Sequence, residues 1–259
     1  MGDWNTLHHF DDKKFYSQIV PDFKSKGQLI RKYFNSEFGK YIAYGNDKNN
    51  ERIAEILKFS KLLNESFKVH ETLLDIQKRE KGINEVYADF IKNRYRDEAE
   101  FQNANGHIIE DINHILTLMI FSECAAFNPH LILGRKIFTG NIKAKPKSIA
   151  QDIISKFTDN ERGSIFYSSM SNCNGFINWL TNEELQILWL DKESIYSRDE
   201  DSDKYFSDFC TFIEIALDNN LGVISGTNMN ERILKLIEPP LPVKIDVKKL
   251  GLQSVINYE

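Results

Sequence analysis

HIIEDINHILTLMIFSECAAF, residues 107–127, is the most apolar helix-forming stretch of the chain. Ile109, Ile112, Leu116 and Ile120 recur at steps of three and four, the period of an α-helix. Asn128-Pro129 closes the stretch, because proline cannot continue a helix. A helix this apolar must be buried against other elements, so the expectation built on it is a multi-helix core.

The flanking sequence extends that pattern. Asp11 is a plausible helix N-cap, with Phe15, Ile19 and Val20 following at helical spacing. Ile53, Ile56, Leu57, Leu63 and Phe67 predict a further amphipathic helix, and Val86, Tyr87, Phe90, Ile91 and Tyr95 another. Downstream, Thr181 and Glu184 fit a capping box, with Leu180 and Leu185 placed as a hydrophobic staple before NEELQILWL. Tyr205, Phe206, Phe209, Phe212, Ile213 and Ala216 mark one more helix. The predicted fold class is mainly α, an α+β chain with minor β content. It is expected to be a compact multi-helix domain with a short strand or hairpin region and an extended C-terminal tail. The strands are expected around 131–142, 163–168, 223–225 and 243–256. Residues 1–259 read as one compact unit. Lys143, Lys145 and Lys147 around Pro146 form an exposed connection, which allows a subdivision into 1–142 and 148–259.

The 259 residues are 41% hydrophobic and 27% charged, an ordinary balance for a folded globular protein. No run approaches the roughly 18 apolar residues that a membrane-spanning helix needs. The net charge of −5 excludes a globally basic coat for nucleic acid. Cys124, Cys173 and Cys210 are widely separated and odd in number, which argues against a disulfide framework or a zinc ribbon. MGDWNTLHHF has no basic region leading into an apolar run. Together these features predict a cytoplasmic protein. The 24 Lys against 9 Arg and 23 Asn against 10 Ala follow AT-rich codons and point to a bacterial or phage genome.

Motifs for phosphate-loop, dinucleotide and nucleophile-elbow chemistry are absent. Two constellations remain. On a helix, His107, Asp111 and His114 fall within about 60° of one another. Such a stripe could hold a divalent metal and centre a helical metal-dependent enzyme, although it supplies few ligands for a catalytic site. His8, His9, Asp11 and Asp12 read as a second polar cluster.

The other constellation is acidic. Between Thr181 and Asp218 there are eleven acids and three bases, a net −8 inside a chain of net −5. Trp179, Trp189, Tyr196, Tyr205 and Phe206 lie among them; Trp189 belongs to a periodic apolar face, and Tyr196 is the better surface candidate. Aromatic anchors inside a charged rim describe a protein-binding surface, and charge complementarity speeds encounter with a basic partner. The expected function is therefore non-enzymatic protein binding, most concretely an immunity-type inhibitor. Such a protein would occlude the basic active site of a toxin or nuclease. The residues assigned to that contact are Asp191, Glu193, Tyr196, Asp199, Glu200, Asp201 and Asp203. The expected partner is a protein, with no direct nucleic-acid or membrane contact and no cofactor. The alternatives are the metal enzyme and a structural subunit of an oligomer.

Overall fold

The computed structural model describes residues 5–42, 49–60, 111–132, 142–158, 175–197, 200–238 and 241. At its centre is β1 (Asn5–Phe10), paired antiparallel on one side with β2 (Ala125–Ile132) and on the other with β6 (Gly222–Thr227). β4 (Gly175–Leu180) adds to the far side of β6, giving the order β2-β1-β6-β4. Strands from both sides of the Lys143–Lys147 connection thus build one sheet.

Alternation along the strands sends side chains to two cores. Phe10, Ile224 and Trp179 join one apolar cluster, while Leu7, Val223 and Leu180 join the other. The first cluster is covered by chain that follows β1 directly. Asp11 caps α1 (Asp12–Lys14), accepting from the Lys14 N–H at 2.9 Å. Wider π-helical turns follow at Phe15–Ile19 and Asp22–Lys26, then α2 (Gln28–Phe34), α3 (Glu37–Ile42) and α4 (Asn49–Ser60). Helix α5, over 111–123, completes that layer. Gly27 sits at φ 63 between the second π-turn and α2. There Asp22 turns back to accept from the N–H groups of Gln28 and Leu29, at 2.9 and 2.8 Å. A left-handed residue at this junction favours glycine.

The second cluster is covered by α6 (Ile149–Thr158), α7 (Asn182–Leu190) and α8 (Glu200–Asp218). A separate two-stranded ribbon pairs β3 (Ile142–Ala144) with β5 (Ile195–Ser197). The short α9 (Glu231–Leu234) packs back on the first cluster through Leu234.

The expected fold class needs correction. Among the described residues 63% are helical, but 21% lie in strands, and a four-stranded antiparallel sheet separates the two helical layers. The fold is α+β with the sheet as its centre, not mainly α with marginal strands. The cause is burial on both faces. A strand covered on both sides loses the in–out alternation and reads as a short apolar run, indistinguishable from a piece of helix. Ala125–Phe127 shows this: it continues the apolar run of α5, but the helix ends at 123 and β2 begins at Ala125. Of the expected strands, 223–225 lies inside β6, and 131–142 includes the end of β2 and the start of β3, with 133–141 outside the described residues. Those at 163–168 and 243–256, and the expected tail from 243 on, lie outside the described residues. Thr158 is the last residue of α6.

The capping box at Thr181 is present. Thr181 Oγ1 accepts from the Glu184 N–H at 3.2 Å, and Glu184 Oε2 accepts from the Thr181 N–H at 3.0 Å. Leu180 and Leu185 are both fully buried beside it. Thr181→Ala should lower the unfolding free energy by about 1 kcal/mol in urea titration. An unchanged midpoint would mean that the box adds nothing to the stability of α7.

Candidate protein-binding surface

The corner where α6, α7 and the β3–β5 ribbon meet carries the candidate site. Asp191, just after α7, turns its carboxylate onto the start of α6 and accepts from the Ala150 N–H at 3.0 Å. Its other oxygen accepts from the Ser194 hydroxyl at 2.7 Å. The Ala150 N–H, with that hydroxyl, holds the Asp191 carboxyl below the usual carboxylate range. A carboxylate is the natural occupant of a helix N-terminus, where unpaired N–H groups converge. Asp191 is therefore already engaged within the fold.

The ribbon brings the lysine-rich connection to the acidic segment. Lys143 pairs in register with Tyr196. Lys145 donates from its backbone N–H to the Ser194 carbonyl at 2.9 Å and from Nζ to the Glu193 carbonyl at 2.9 Å. Lys192 places its ammonium 5.7 Å from the Trp189 ring centroid. Lys145 is thus brought from almost fifty residues away to the turn that carries Asp191 and Glu193, where its charge also acts on the Asp191 carboxylate.

Three large apolar side chains are exposed here. Leu190 is 87% exposed, Ile149 55% and Tyr196 44%. Leu190 and Ile149 each immediately precede one partner of the Asp191–Ala150 hydrogen bond, so both border the same junction. Burying such groups stabilises association by roughly 25 cal/mol per Å² of apolar area. Glu193, Lys145, Lys147 and Lys192 are exposed around them. Of the residues assigned from sequence, Glu193 and Tyr196 lie on this surface. Asp199 lies outside the described residues, as do Cys173 and His107. Glu200, Asp201 and Asp203 fall in the first turn of α8. Leu190 and Ile149 escaped sequence reading because each stands in an apolar helical pattern that ordinarily faces a core.

The proposed metal stripe takes a different form. Asp111 is buried and bound by the Arg52 guanidinium from α4. Arg52 Nε donates to Asp111 Oδ2 at 2.8 Å, and Nη2 donates to Oδ1. Asn113 and Thr117 are buried too, so this side of α5 is packed and not solvated. His114 is half-buried on the same helix. Among the described residues, no group of three His, Cys, Asp or Glu could hold a metal ion.

Of the polar cluster expected at the N-terminus, His8, His9 and Asp12 are buried and Asp11 is half-buried. His8 and His130 face each other across β1 and β2, with ring centroids 5.3 Å apart. Both donate from Nδ1 to the Phe127 carbonyl, at 2.9 and 3.1 Å. That carbonyl lies in the irregular part of β2, where the register with β1 shifts between His8 and Phe10. Burial pushes the His8 imidazole well below its ordinary range and His130 down to about 4. Trp179 is in the core and donates to the Tyr16 hydroxyl at 2.8 Å. Trp189 and Phe206 are partly buried against the second cluster. Cys124 is buried and Cys210 half-buried, with burial raising the Cys210 thiol to about 11. Neither is poised as a nucleophile at neutral pH. No helix among the described residues is long and apolar enough to cross a membrane.

No protein-family model matches the chain, and neither a curated protein nor a solved structure matches it.

The Arg52–Asp111 pair gives a stability test. Removing one partner leaves a buried charge without its counterion. Arg52→Ala should cost about 3–5 kcal/mol in chemical denaturation, and Arg52→Met with Asp111→Leu should recover most of that loss. Equal losses in the single and double variants would show that the pair acts through packing alone.

Proposed function

We propose that this chain is a non-enzymatic protein-binding protein whose contact surface is the corner built from α6, α7 and the β3–β5 ribbon. The observation that carries this reading is the exposure of Leu190 and Ile149 at the Asp191–Ala150 junction, with Tyr196 exposed on the ribbon that Lys145 ties to the same turn. Leu190 is the central anchor, since a leucine this exposed gains most from being covered. Tyr196 offers a ring with a polar tip, and Glu193 and Lys147 lie on the rim, where charge sets encounter rate and register. The more concrete form of the proposal is an immunity-type inhibitor. Its acids at the start of α8, with Glu193, would face the basic active site of a toxin or nuclease, and its apolar corner would hold the complex together. The partner class is then a basic protein, and the block is steric.

The test is affinity capture from native lysate at low and high salt, with wild type, Leu190→Asp and Glu193→Lys. A stoichiometric basic partner should remain with wild type and weaken at high salt. Leu190→Asp should weaken it by about thirty-fold, the effect of a hot-spot residue worth roughly 2 kcal/mol. Undiminished capture by Leu190→Asp would place the contact elsewhere. Salt-independent binding of an acidic partner would remove the inhibitor reading.

A further inference from the structure

We propose that His9 is a proton-operated latch between the central strand and α8, and that protonation of its ring releases the helix from the sheet. His9 lies in the middle of the sheet, on the face opposite His8, and is fully buried. Its ring stacks on Phe212 of α8 with centroids 3.7 Å apart and planes 10° from parallel. Nε2 is 2.9 Å from the Phe212 carbonyl. A carbonyl can only accept, so Nε2 carries the proton and Nδ1 holds the lone pair. Nδ1 is buried and has no hydrogen-bond partner among the described residues.

A neutral ring tolerates this environment. A protonated ring does not, because it brings a charge and a new N–H donor into a layer of Phe212, Phe209, Val223 and Leu221. Among the described residues, no acid acts on the ring. From its own strand the titratable neighbour is His8, and His130 lies beyond it on β2. β6, which pairs with β1 at Val223, carries no ionisable residue. Along α8, Asp208 is half-buried one turn before Phe212, Cys210 is half-buried, and Glu214 is exposed. Burial pushes His9 down to about 4 in the closed state. Once α8 separates, the ring meets water and returns to its ordinary value near 6.5.

The sign follows from these two values. Between about 4 and 6.5 the open state binds a proton that the closed state does not, so closure weakens as pH falls through that window. From pH 7.5 to pH 5 the opening equilibrium should rise roughly thirty-fold. α8 also carries Glu200, Asp201 and Asp203 of the proposed contact. If that reading of the surface holds, mild acid would loosen the partner through the same helix; the latch itself is tested with no partner present.

The experiment is amide hydrogen exchange on the full chain at pH 7.5 and pH 5, corrected for intrinsic exchange, with α5 as the internal control. Wild-type protection across 206–218 should fall about thirty-fold relative to α5. In His9→Gln, which retains a donor for the Phe212 carbonyl but does not titrate, it should not fall. PH-independent protection of α8, an equal drop in α5, or the same drop in His9→Gln would each overturn the latch. If His9→Gln does not fold, NMR titration of the wild-type ring decides. Protonation that coincides in pH with α8 opening supports the latch, and protonation that leaves α8 protected overturns it.

Discussion

β1 is covered on both faces and hydrogen-bonded along both edges, and the remaining architecture follows from meeting those four demands together. β2 and β6 satisfy its backbone groups. An unpaired buried N–H or carbonyl costs about as much as a lost hydrogen bond. Because β2 is drawn from residues 125–132 and β6 from 222–227, distant parts of the chain must meet before the strand is stable. The two faces then recruit two apolar layers. Phe10 anchors one beside Phe15, with ring centroids 5.7 Å apart, and Leu7 belongs to the other.

The strand also carries its polar load into those layers. His8 and His9 point to opposite faces, and each meets a carbonyl, of Phe127 and Phe212 respectively. In both cases the imidazole acts as a neutral donor within an aromatic wall. His8 lies against Phe121 and Phe127, and His9 against Phe212. This arrangement fixes which carbonyls of β2 and α8 approach β1, and it ties the packing of both layers to imidazoles that must stay uncharged. Asp111 and Arg52 do comparable work within the first layer, where a bidentate pair joins α4 to α5.

At the surface, the same topology changes what the charges mean. The acidic window is adjacent in sequence, but the β3–β5 ribbon sets Lys143 and Lys145 against Tyr196 and Glu193. Asp191 is taken up in closing the start of α6. What remains at this corner is an exposed apolar group within a mixed rim. In the proposed contact, such a composition would favour a defined fit over non-specific attraction, because an apolar centre requires fit and a charged rim sets orientation.

Local chemistry was legible wherever a few neighbouring residues settle the outcome. Thr181 and Glu184 cap α7, Asp11 caps α1, and Phe209, Phe212, Ile213 and Ala216 bury one face of α8, all as their spacing indicates. Tyr196 reads as a surface aromatic from its setting in a polar loop, and it is exposed. The sheet was not legible. TLHHF carries two histidines where a strand core would show apolar residues, and AAF in 125–127 prolongs a helical pattern. Their strand state depends on partners more than a hundred residues away. The sequence by itself determined the helix caps, the amphipathic faces and the total charge, because these rest on neighbours within one or two turns. Tertiary structure alone decided which histidines are dry, which acids are already bound and which leucine faces water. Burial and pairing belong to the assembled layers and not to any one segment.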